Sequence, residues 1–258
     1  MASWNDLTAE LDKWQKIGRP ATFWWRDDDL NELTPAFDRL LSLRSQFDIP
    51  LTLAVIPNEV DPHIADELEG CHLIQHGVVH RSFAPEGEKK SEFPSNRDLE
   101  EALDNLGVGR HRMETLFEES FLPVFVPPWN RVSDKVVEAL GDRGFIGLSR
   151  YKPRAQDKVS KGRVAEINTH VDPIYWRGHR SALSDEIVLD QIVDHLKGRR
   201  IGKYDPLEPT GILSHHLVHD EAIWKLLFKI FTALNRHAAV RWLTYPGAMS
   251  LIDDLPDD

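Results

Sequence analysis

Short apolar runs alternate along the chain with longer segments in which apolar residues recur every three or four positions. In the first 18 residues, Trp4, Leu7, Leu11 and Trp14 follow this spacing, which places them on one face of an N-terminal helix. The same spacing predicts further helices at 34–47, 98–119, 133–143, 184–197 and 220–236. Short apolar runs predict strands at 21–25, 51–56, 72–75, 124–126, 145–148, 164–167, 212–213 and 240–243.

This alternation predicts βα units around a mainly parallel sheet, and therefore the α/β class. About eight strands favour closure of the sheet into a barrel, with an open doubly wound sheet as the alternative. The chain has no internal repeat, low-complexity segment or long linker, so residues 1–258 are predicted to form a single domain. The polar stretches 81–97 and 151–163 are predicted to be long loops beside a site.

Charge and composition narrow the class of protein. The 258 residues carry 42 acidic against 31 basic side chains, a formal net charge of −11, which disfavours nucleic acid and membranes as partners. The acidic N-terminal segment lacks the apolar stretch of a secretion signal, and Lys225 and Lys229 interrupt the most apolar tract. The single Cys71 excludes an intramolecular disulfide. We therefore expect a cytoplasmic protein whose acidic segment 253–258 is a solvated tail.

Three consecutive carboxylates, Asp27, Asp28 and Asp29, follow the aromatic strand that begins the predicted sheet. Their mutual repulsion is tolerated best where a cation or solvent offsets it. They therefore indicate either a cation site or a solvated turn that leads into the next element.

Two histidines four residues apart, His76 and His80, follow a second predicted strand. If the chain turns helical after this strand, both imidazoles lie on one face and can bind a single metal ion. The alternative interpretation is a pair of surface or core histidines.

Two further motifs follow predicted strands. Pro127 and Pro128 stiffen a turn that presents Trp129, either as the wall of a pocket or as part of a structural turn. His215 follows the run at 212–213 and is a candidate general acid, with packing or helix capping as the alternative. Because the sites of parallel α/β folds assemble at the carboxyl ends of strands, the four motifs together favour one common site.

In this order the motifs resemble those of the polysaccharide deacetylases, the NodB-homology or carbohydrate esterase family 4 group. The resemblance extends over most of the chain, from Ala21 to Leu243. It implies a distorted (β/α) barrel of about seven to eight parallel strands. In the family's Asp-Asp motif, the first position, matched by Asp27, is the general base, and the second, matched by Asp28, is a metal ligand.

The other family motifs match more of the chain. The resemblance makes His76 and His80 the remaining metal ligands and His215 the general acid, with His216 or His219 as the acid if the turn is shifted. The family's aromatic turn is matched by Pro128 and Trp129, so the substrate is expected to contact Pro128, Trp129 and Asn130. The Asp and Trp that support the acid in the family are loosely matched by Asp172 and Trp176.

Two positions depart from the family pattern. Asp29 stands where the family has a glycine. This third carboxylate is expected to have at most a supporting role. Val126 replaces the arginine that pairs with the base in the family. Four arginines are candidates for the missing cation, namely Arg26, Arg81, Arg131 and Arg177.

The resemblance implies a metal-dependent hydrolase of C–N bonds that removes an acetyl group from an N-acetylated sugar or small saccharide. Zinc is the default metal, although cobalt, nickel, iron and manganese also accept mixed imidazole and carboxylate ligands. One alternative is an allantoinase-like hydrolase of amides or ureides from the same superfamily. The other is a non-catalytic metal- or saccharide-binding member of the fold. The expected partner is a saccharide substrate, and homo-oligomerisation is left open.

Overall fold

A computed structural model describes residues 1–68 and 70–253 of the protein. It confirms the α/β class. Residues 254–258 of the predicted acidic tail lie outside the described residues. Within the described part of the chain, no helix combines the length and apolar character needed to span a bilayer.

The helices begin where the sequence offers caps. The described residues contain α1 Trp4–Lys16, α2 Pro35–Phe47, α3 Leu99–Phe117, α4 Asp134–Ala139, α5 Asp185–Arg200, α6 Glu221–Asn235 and α7 Tyr245–Asp253. Side chains of Ser3, Thr34, Asp98 and Asp220 accept hydrogen bonds from backbone N–H groups in the first turns of α1, α2, α3 and α6, respectively. The sequence pattern did not predict α7.

The strands are β1 Ala21–Leu30, β2 Leu51–Val55, β3 Cys71–His76, β4 Phe121–Val126, β5 Gly147–Leu148, β6 Lys158–Val159, β7 Val164–Glu166, β8 Thr210–Ser214 and β9 Val240–Trp242. Most lie within a few residues of the predicted runs. There are two exceptions. β6 lies in the stretch 151–163, which was predicted to be a loop. β1 continues five residues beyond its predicted end at Trp25 and includes all three aspartates. The aspartates therefore lie within the strand and not in a turn after it.

The sheet has the order β6-β7-β5-β4-β3-β2-β1-β8, and β9 pairs with β1. Every pairing between these strands is parallel except that of β6 with β7. Regular pairing does not join β7 to β8, but the segment after β7 reaches β8 through backbone hydrogen bonds. His170 N donates to Gly211 O, and Leu213 N donates to Val171 O, both at 2.8 Å. Irregular chain at 167–171, the closing segment, bridges β7 and β8, so the sheet is a distorted barrel that regular strand pairing leaves open.

Side chains of β1 alternate between the two sides of this sheet. Trp24 packs on the inner side with Ala54 of β2, Ile74 of β3 and Tyr245 of α7. Trp25 packs on the outer side, in the cluster formed with helices α1, α2, α5 and α6. Because strand residues two apart share a face, this alternation decides which aspartates face the interior of the barrel.

Candidate metal centre and active site

A bulge near the carboxyl end of β1 sets the direction of the last aspartate. Asp27 is paired with Leu53 of β2 and Leu30 with Val55, so three steps along β1 oppose two steps along β2. The extra residue lets Asp29 adopt a left-handed backbone with φ of 72°. Bulges of this kind re-aim a side chain at the edge of a sheet. Here the bulge turns the Asp29 carboxylate towards the histidines after β3.

The structure places Asp29, His76 and His80 together. His76 Nε2 lies 3.0 Å and His80 Nε2 3.3 Å from Asp29 Oδ1. His76 Nδ1 lies 3.1 Å from the carbonyl oxygen of Val126, and a carbonyl only accepts, so Nδ1 carries a proton and Nε2 is the nitrogen that faces Asp29. Two imidazole nitrogens and one carboxylate oxygen, all within 4.8 Å of one another, form a donor set that suits a divalent metal ion.

A tight turn, and not the predicted helix, brings the two histidines together. His76 ends β3, and the four residues after it are not helical. Gly77 at φ 58° and His80 at φ 48° reverse the chain, so the imidazole centroids lie 5.0 Å apart. A Cβ on Gly77 would collide with the side chains of Glu92 and Pro128. The spacing of His76 and His80 therefore works through a turn that requires glycine.

Glu92 holds this turn, although no sequence signal singled it out. Its buried carboxylate accepts hydrogen bonds from Val78 N at 3.1 Å and from Val79 N at 2.9 Å. Burial raises the pKa of Glu92, and these backbone bonds oppose the rise. Glu92 belongs to the polar stretch 81–97, so this predicted loop does lie beside the site.

Asp28 faces the interior and pairs with Arg26. The guanidinium donates from Nε to Asp28 Oδ1 at 2.7 Å and from a terminal nitrogen to Oδ2 at 2.9 Å, and both side chains are buried. Ser149 Oγ, Asn130 Oδ1 and the carbonyl oxygen of Arg150 accept further Arg26 hydrogen bonds, at 2.6, 3.3 and 3.5 Å. Of the four candidate arginines, Arg26 therefore lies where a cation pairs with a site carboxylate.

Asp27 lies on the opposite side of the sheet, completely buried. Its carboxylate accepts hydrogen bonds from Ser214 Oγ at 2.5 Å and from His216 N at 3.1 Å, and it pairs with His216 Nδ1. Burial acts to raise the pKa of Asp27, but the charge and hydrogen bond of His216 outweigh it and hold the pKa below its ordinary value.

The expected placement of Asp27 and Asp28 therefore needs correction by one residue. The carboxylate beside the two histidines is Asp29 and not Asp28, and the carboxylate beside the arginine is Asp28 and not Asp27. The reason is that β1 continues through these residues, which puts Asp27 on the outer face, and that the bulge redirects Asp29.

His215 approaches the centre from the end of β8. Its Nε2 lies 3.9 Å from Asp28 Oδ2, and its ring packs edge-on against Trp176 at 4.8 Å between centroids. Trp176 Nε1 in turn donates to Asp172 Oδ2 at 2.7 Å. The structure thus brings the candidate acid together with both of its expected supporting residues.

The two alternative histidines lie elsewhere. His216 is fully buried and pairs with Asp27. His219 Nε2 accepts a hydrogen bond from His215 N at 3.2 Å, and burial lowers the pKa of His219 to about 4. Among these three histidines, only the side chain of His215 faces Asp28.

The turn after β4 forms one wall of the centre. The Trp129 ring packs against His80 with centroids 4.7 Å apart, and Trp129 and Asn130 both have φ of 55°. Asn130 turns its side-chain oxygen to Arg26. Lys90, which the sequence did not single out, lies with its Nζ 5.7 Å from the Trp129 ring centroid.

The charges of the centre favour a cation. Burial acts to raise the pKa of Asp29, but hydrogen bonding and charge from His76 hold it well below the ordinary value. Burial and the neighbouring His76 lower the pKa of His80. Burial acts to lower the pKa of His76, but the hydrogen bond to Asp29 and the charges of Asp28 and Asp29 raise it. A cation bound at the centre would take the place of the proton on His76 Nε2, whereas Asp29 is ionised and His80 neutral, as metal binding requires.

A second group of two histidines and a carboxylate is buried between α5, β8 and the closing segment. His170 and His195 stack with ring centroids 3.4 Å apart, and His170 Nε2 lies 3.4 Å from Glu208 Oε2. Gly211 N donates to His170 Nδ1 at 3.0 Å. Nδ1 therefore carries no proton, so the proton of His170 is on Nε2, which faces Glu208.

The protein resembles known proteins in its fold but not detectably in its overall sequence. No family model and no curated protein matches the sequence. A solved structure of a candidate polysaccharide deacetylase from Mycobacterium smegmatis superimposes with a TM-score of 0.60 at 14% identity, covering 91% of each chain. A family 4 acetyl xylan esterase from Clostridium thermocellum in complex with cobalt has a TM-score of 0.55 at 13% identity, covering 89% of this chain and 91% of the other.

A third neighbour is a pseudoenzyme of carbohydrate esterase family 4 from Bacillus anthracis, with a TM-score of 0.56 at 13% identity. The alignment covers 89% of this chain and 66% of the pseudoenzyme. Because the three identities are low and the coverage of this chain is about nine tenths in each case, the likeness concerns the fold. The resemblance seen in the sequence is confirmed at that level: this chain has the fold of the polysaccharide deacetylases and family 4 carbohydrate esterases.

Proposed function

We propose that the protein is a metal-dependent hydrolase that removes the acetyl group from an N-acetylated sugar or small saccharide. The observation that carries the proposal is the position of the three donors Asp29, His76 and His80 beside Asp28, with His215 facing the same carboxylate. A donor set, a candidate base and a candidate acid therefore surround one space at the carboxyl end of the sheet.

In this proposal Asp29, His76 and His80 hold one divalent ion, with zinc the first choice and cobalt, nickel, iron or manganese also compatible. Such an ion, when bound, polarises the acyl carbonyl and lowers the pKa of water. The Val126 carbonyl fixes the tautomer of His76, and Glu92 fixes the turn that carries both histidines.

Asp28 is the general base. Its two hydrogen bonds from Arg26 hold the carboxylate in one orientation. As the base, it takes a proton from the attacking water while the new C–O bond forms at the acyl carbon. The sequence resemblance gave this role to Asp27, whose buried position on the outer face argues against it.

His215 is the general acid. It gives a proton to the amine nitrogen as the C–N bond breaks, so acetate and a free amine leave. His215 Nε2 lies 3.9 Å from Asp28 Oδ2, so the acid and the base lie on adjoining sides of the same space. Asp172 holds Trp176 against the imidazole ring.

Aromatic surface beside the centre supports a sugar as substrate. Trp176 is 40% exposed, and Trp129 lies over His80. The faces of such rings suit the apolar face of a sugar. The small size of the saccharide and the cytoplasmic location stay predictions from the sequence.

The test is acetate release from a panel of N-acetyl sugars, with ureides included, before and after removal of metal by a chelator. We expect release that stops on chelation and returns when zinc or another divalent ion is added. Release from no member of the panel by metal-loaded protein would contradict the proposal. Ureide hydrolysis that survives chelation would favour the allantoinase-like alternative.

A non-catalytic member of the fold is the second candidate, because one structural neighbour is a pseudoenzyme. The loss of the family arginine at Val126 pointed the same way, but Arg26 supplies a buried cation to Asp28. Metal binding without turnover on any amide or ester would favour this candidate.

A further inference from the structure

We propose that Asp27 is a positioning residue that fixes the orientation of His215, an inference that rests on the proposed role of His215 as the acid. Asp27 touches neither the donor set nor Asp28 through any hydrogen bond in the described structure. Its carboxylate instead accepts from Ser214 Oγ, His216 N and His216 Nδ1. Ser214 and His216 are the residues on either side of His215.

The His215 side chain has little else to hold it. Its Nδ1 is buried and has no hydrogen-bond partner among the described residues, and its Nε2 is 3.9 Å from the nearest carboxylate oxygen of Asp28. Trp176 contacts the ring without a hydrogen bond between them. The direction of the imidazole therefore depends on the backbone of 214–216. Asp27 holds this segment through Ser214 Oγ and His216 N, and His219 Nε2 accepts from His215 N.

Burying the Asp27 carboxylate costs free energy, which its hydrogen bonds must offset. Its neighbours on the outer face of β1, Phe23 and Trp25, are apolar and fully buried. A buried charged pair is often no more stabilising than well-packed apolar residues of similar volume. Trp25 Nε1 also donates to Ser214 Oγ at 2.8 Å, so the network extends behind the acid. The hydrogen bonds of Asp27 therefore serve to orient the 214–216 turn.

Asp27→Asn is the direct test, with Glu208→Gln as the matched control. Both carboxylates are fully buried, both accept from backbone N–H groups and both lie beside a histidine, but Glu208 has no contact with the 214–216 turn among the described residues. Each variant is assayed with an N-acetyl sugar and with 4-nitrophenyl acetate. The amide needs protonation of its leaving amine, whereas the phenolate leaves without an acid.

If Asp27 acts through His215, Asp27→Asn lowers kcat on the amide by about tenfold or more and changes ester turnover about twofold at most. KM and metal content stay as in the wild type. We expect Glu208→Gln to leave the ratio of amide to ester turnover unchanged. An equal loss on both substrates in Asp27→Asn would overturn the inference, because it would indicate a general structural role.

A second pair of variants covers the case in which Asp27→Asn does not fold. Asparagine at position 216 retains a side-chain N–H for Asp27, whereas leucine does not. We expect His216→Asn to keep the amide-to-ester ratio near that of the wild type and His216→Leu to lower it. Equal ratios in the two variants would contradict the inference.

The inference also has a readout that does not depend on turnover. In protein labelled with 15N-histidine, we expect the ring signals of His215 to shift or broaden in Asp27→Asn and to stay unchanged in Glu208→Gln. Unchanged His215 signals in Asp27→Asn would overturn the positioning role. A wild type that hydrolyses neither substrate would refute the proposed function, while the NMR comparison still decides the inference.

Discussion

The described part of the chain contains two clusters of two histidines and one carboxylate, which differ in the hydrogen bonds on the far side of the imidazole rings. In the candidate metal centre of Asp29, His76 and His80, the Nδ1 of His76 donates to a carbonyl, so the Nε2 of the neutral ring offers a lone pair. In the buried cluster of His170, His195 and Glu208, the Nδ1 of His170 accepts from a backbone N–H, so its Nε2 carries the proton. Residue types and distances alone do not separate the two groups. The backbone group behind each ring does.

The carboxylates of the two clusters also differ in the hydrogen bonds that they accept. Glu208 accepts hydrogen bonds from Arg154 N at 2.9 Å and Asn168 N at 3.1 Å, in addition to its contact with His170. Asp29 Oδ1 is buried, lies close to the two imidazole nitrogens and accepts no backbone hydrogen bond from the described residues. One carboxylate is thus occupied by protein donors that hold the closing segment, and the other remains available to a cation.

The largest expected effect comes from breaking the donor set. Asp29→Asn and His76→Ala should each abolish metal binding and acetate release, whereas wild type and His170→Asn should retain about one ion per chain. Elemental analysis of identically purified proteins measures this. Metal lost from His170→Asn but kept in Asp29→Asn would reverse the assignment of the two clusters.

Asp28→Asn should separate catalysis from metal binding. Asparagine keeps the shape of the side chain but cannot take a proton, so kcat should fall by about 10²- to 10⁴-fold while metal content stays constant. Asp27→Asn is the comparison, because the sequence resemblance made that residue the base. We expect Asp27→Asn to retain turnover of the activated ester. If Asp27→Asn lost ester turnover and Asp28→Asn kept it, Asp27 would be the general base, as the sequence resemblance implied.

The turn between the two histidines gives a smaller effect. A methyl group on Gly77 would collide with Glu92 and Pro128, so Gly77→Ala should displace the imidazoles and weaken metal binding by about 10- to 100-fold. Gly87→Ala is a matched control, because Gly87 also has a positive φ, of 84°, but no atom within 4 Å of an added Cβ. Competition with a chelator measures both affinities, and equal losses would assign the effect to backbone strain alone.

The sequence predicted the sheet, most helices and the histidines that gather at the centre, because these depend on periodicity and on the topology of parallel strands. It assigned the metal-ligand and base roles one position too early, to Asp28 and Asp27 instead of Asp29 and Asp28. The alternation Trp24, Arg26, Asp28 along one face was readable, but it required β1 to continue beyond Trp25. A bulge that redirects Asp29 leaves no mark on a pattern of period two.

Other features depended on contacts distant along the chain. Glu92 lies in a polar loop without a motif, and its role follows only from its hydrogen bonds to Val78 and Val79. Helix α7 was missed because it is short and has Pro246 and Gly247 in its first turn, yet Tyr245 packs on the inner side of the sheet against Trp24. Packing across the barrel, and not local pattern, stabilises both.

The smallest predicted effect concerns the pH dependence of the buried cluster. Burial, together with the neighbouring His170, holds the pKa of His195 well below its ordinary value of about 6.5. The folded protein therefore keeps His195 neutral, while the unfolded chain takes up a proton as the pH falls through about 6.5. Because the unfolded state then binds more protons, the free energy of unfolding falls on acidification from pH 7 to pH 5.

His195→Asn removes this contribution. Its free energy of unfolding, measured by urea denaturation at several pH values, should fall less steeply below pH 6.5 than that of the wild type, by at most about 1.4 kcal/mol per pH unit. His111→Asn on the exposed side of α3 is the control for loss of a histidine, and we expect it to follow the wild-type pH dependence. Parallel curves for His195→Asn and wild type would mean that His195 is protonated in the folded protein. Such a proton would pair with Glu208, 4.0 Å away, and the cluster would then be a buried ion pair instead of a neutral network.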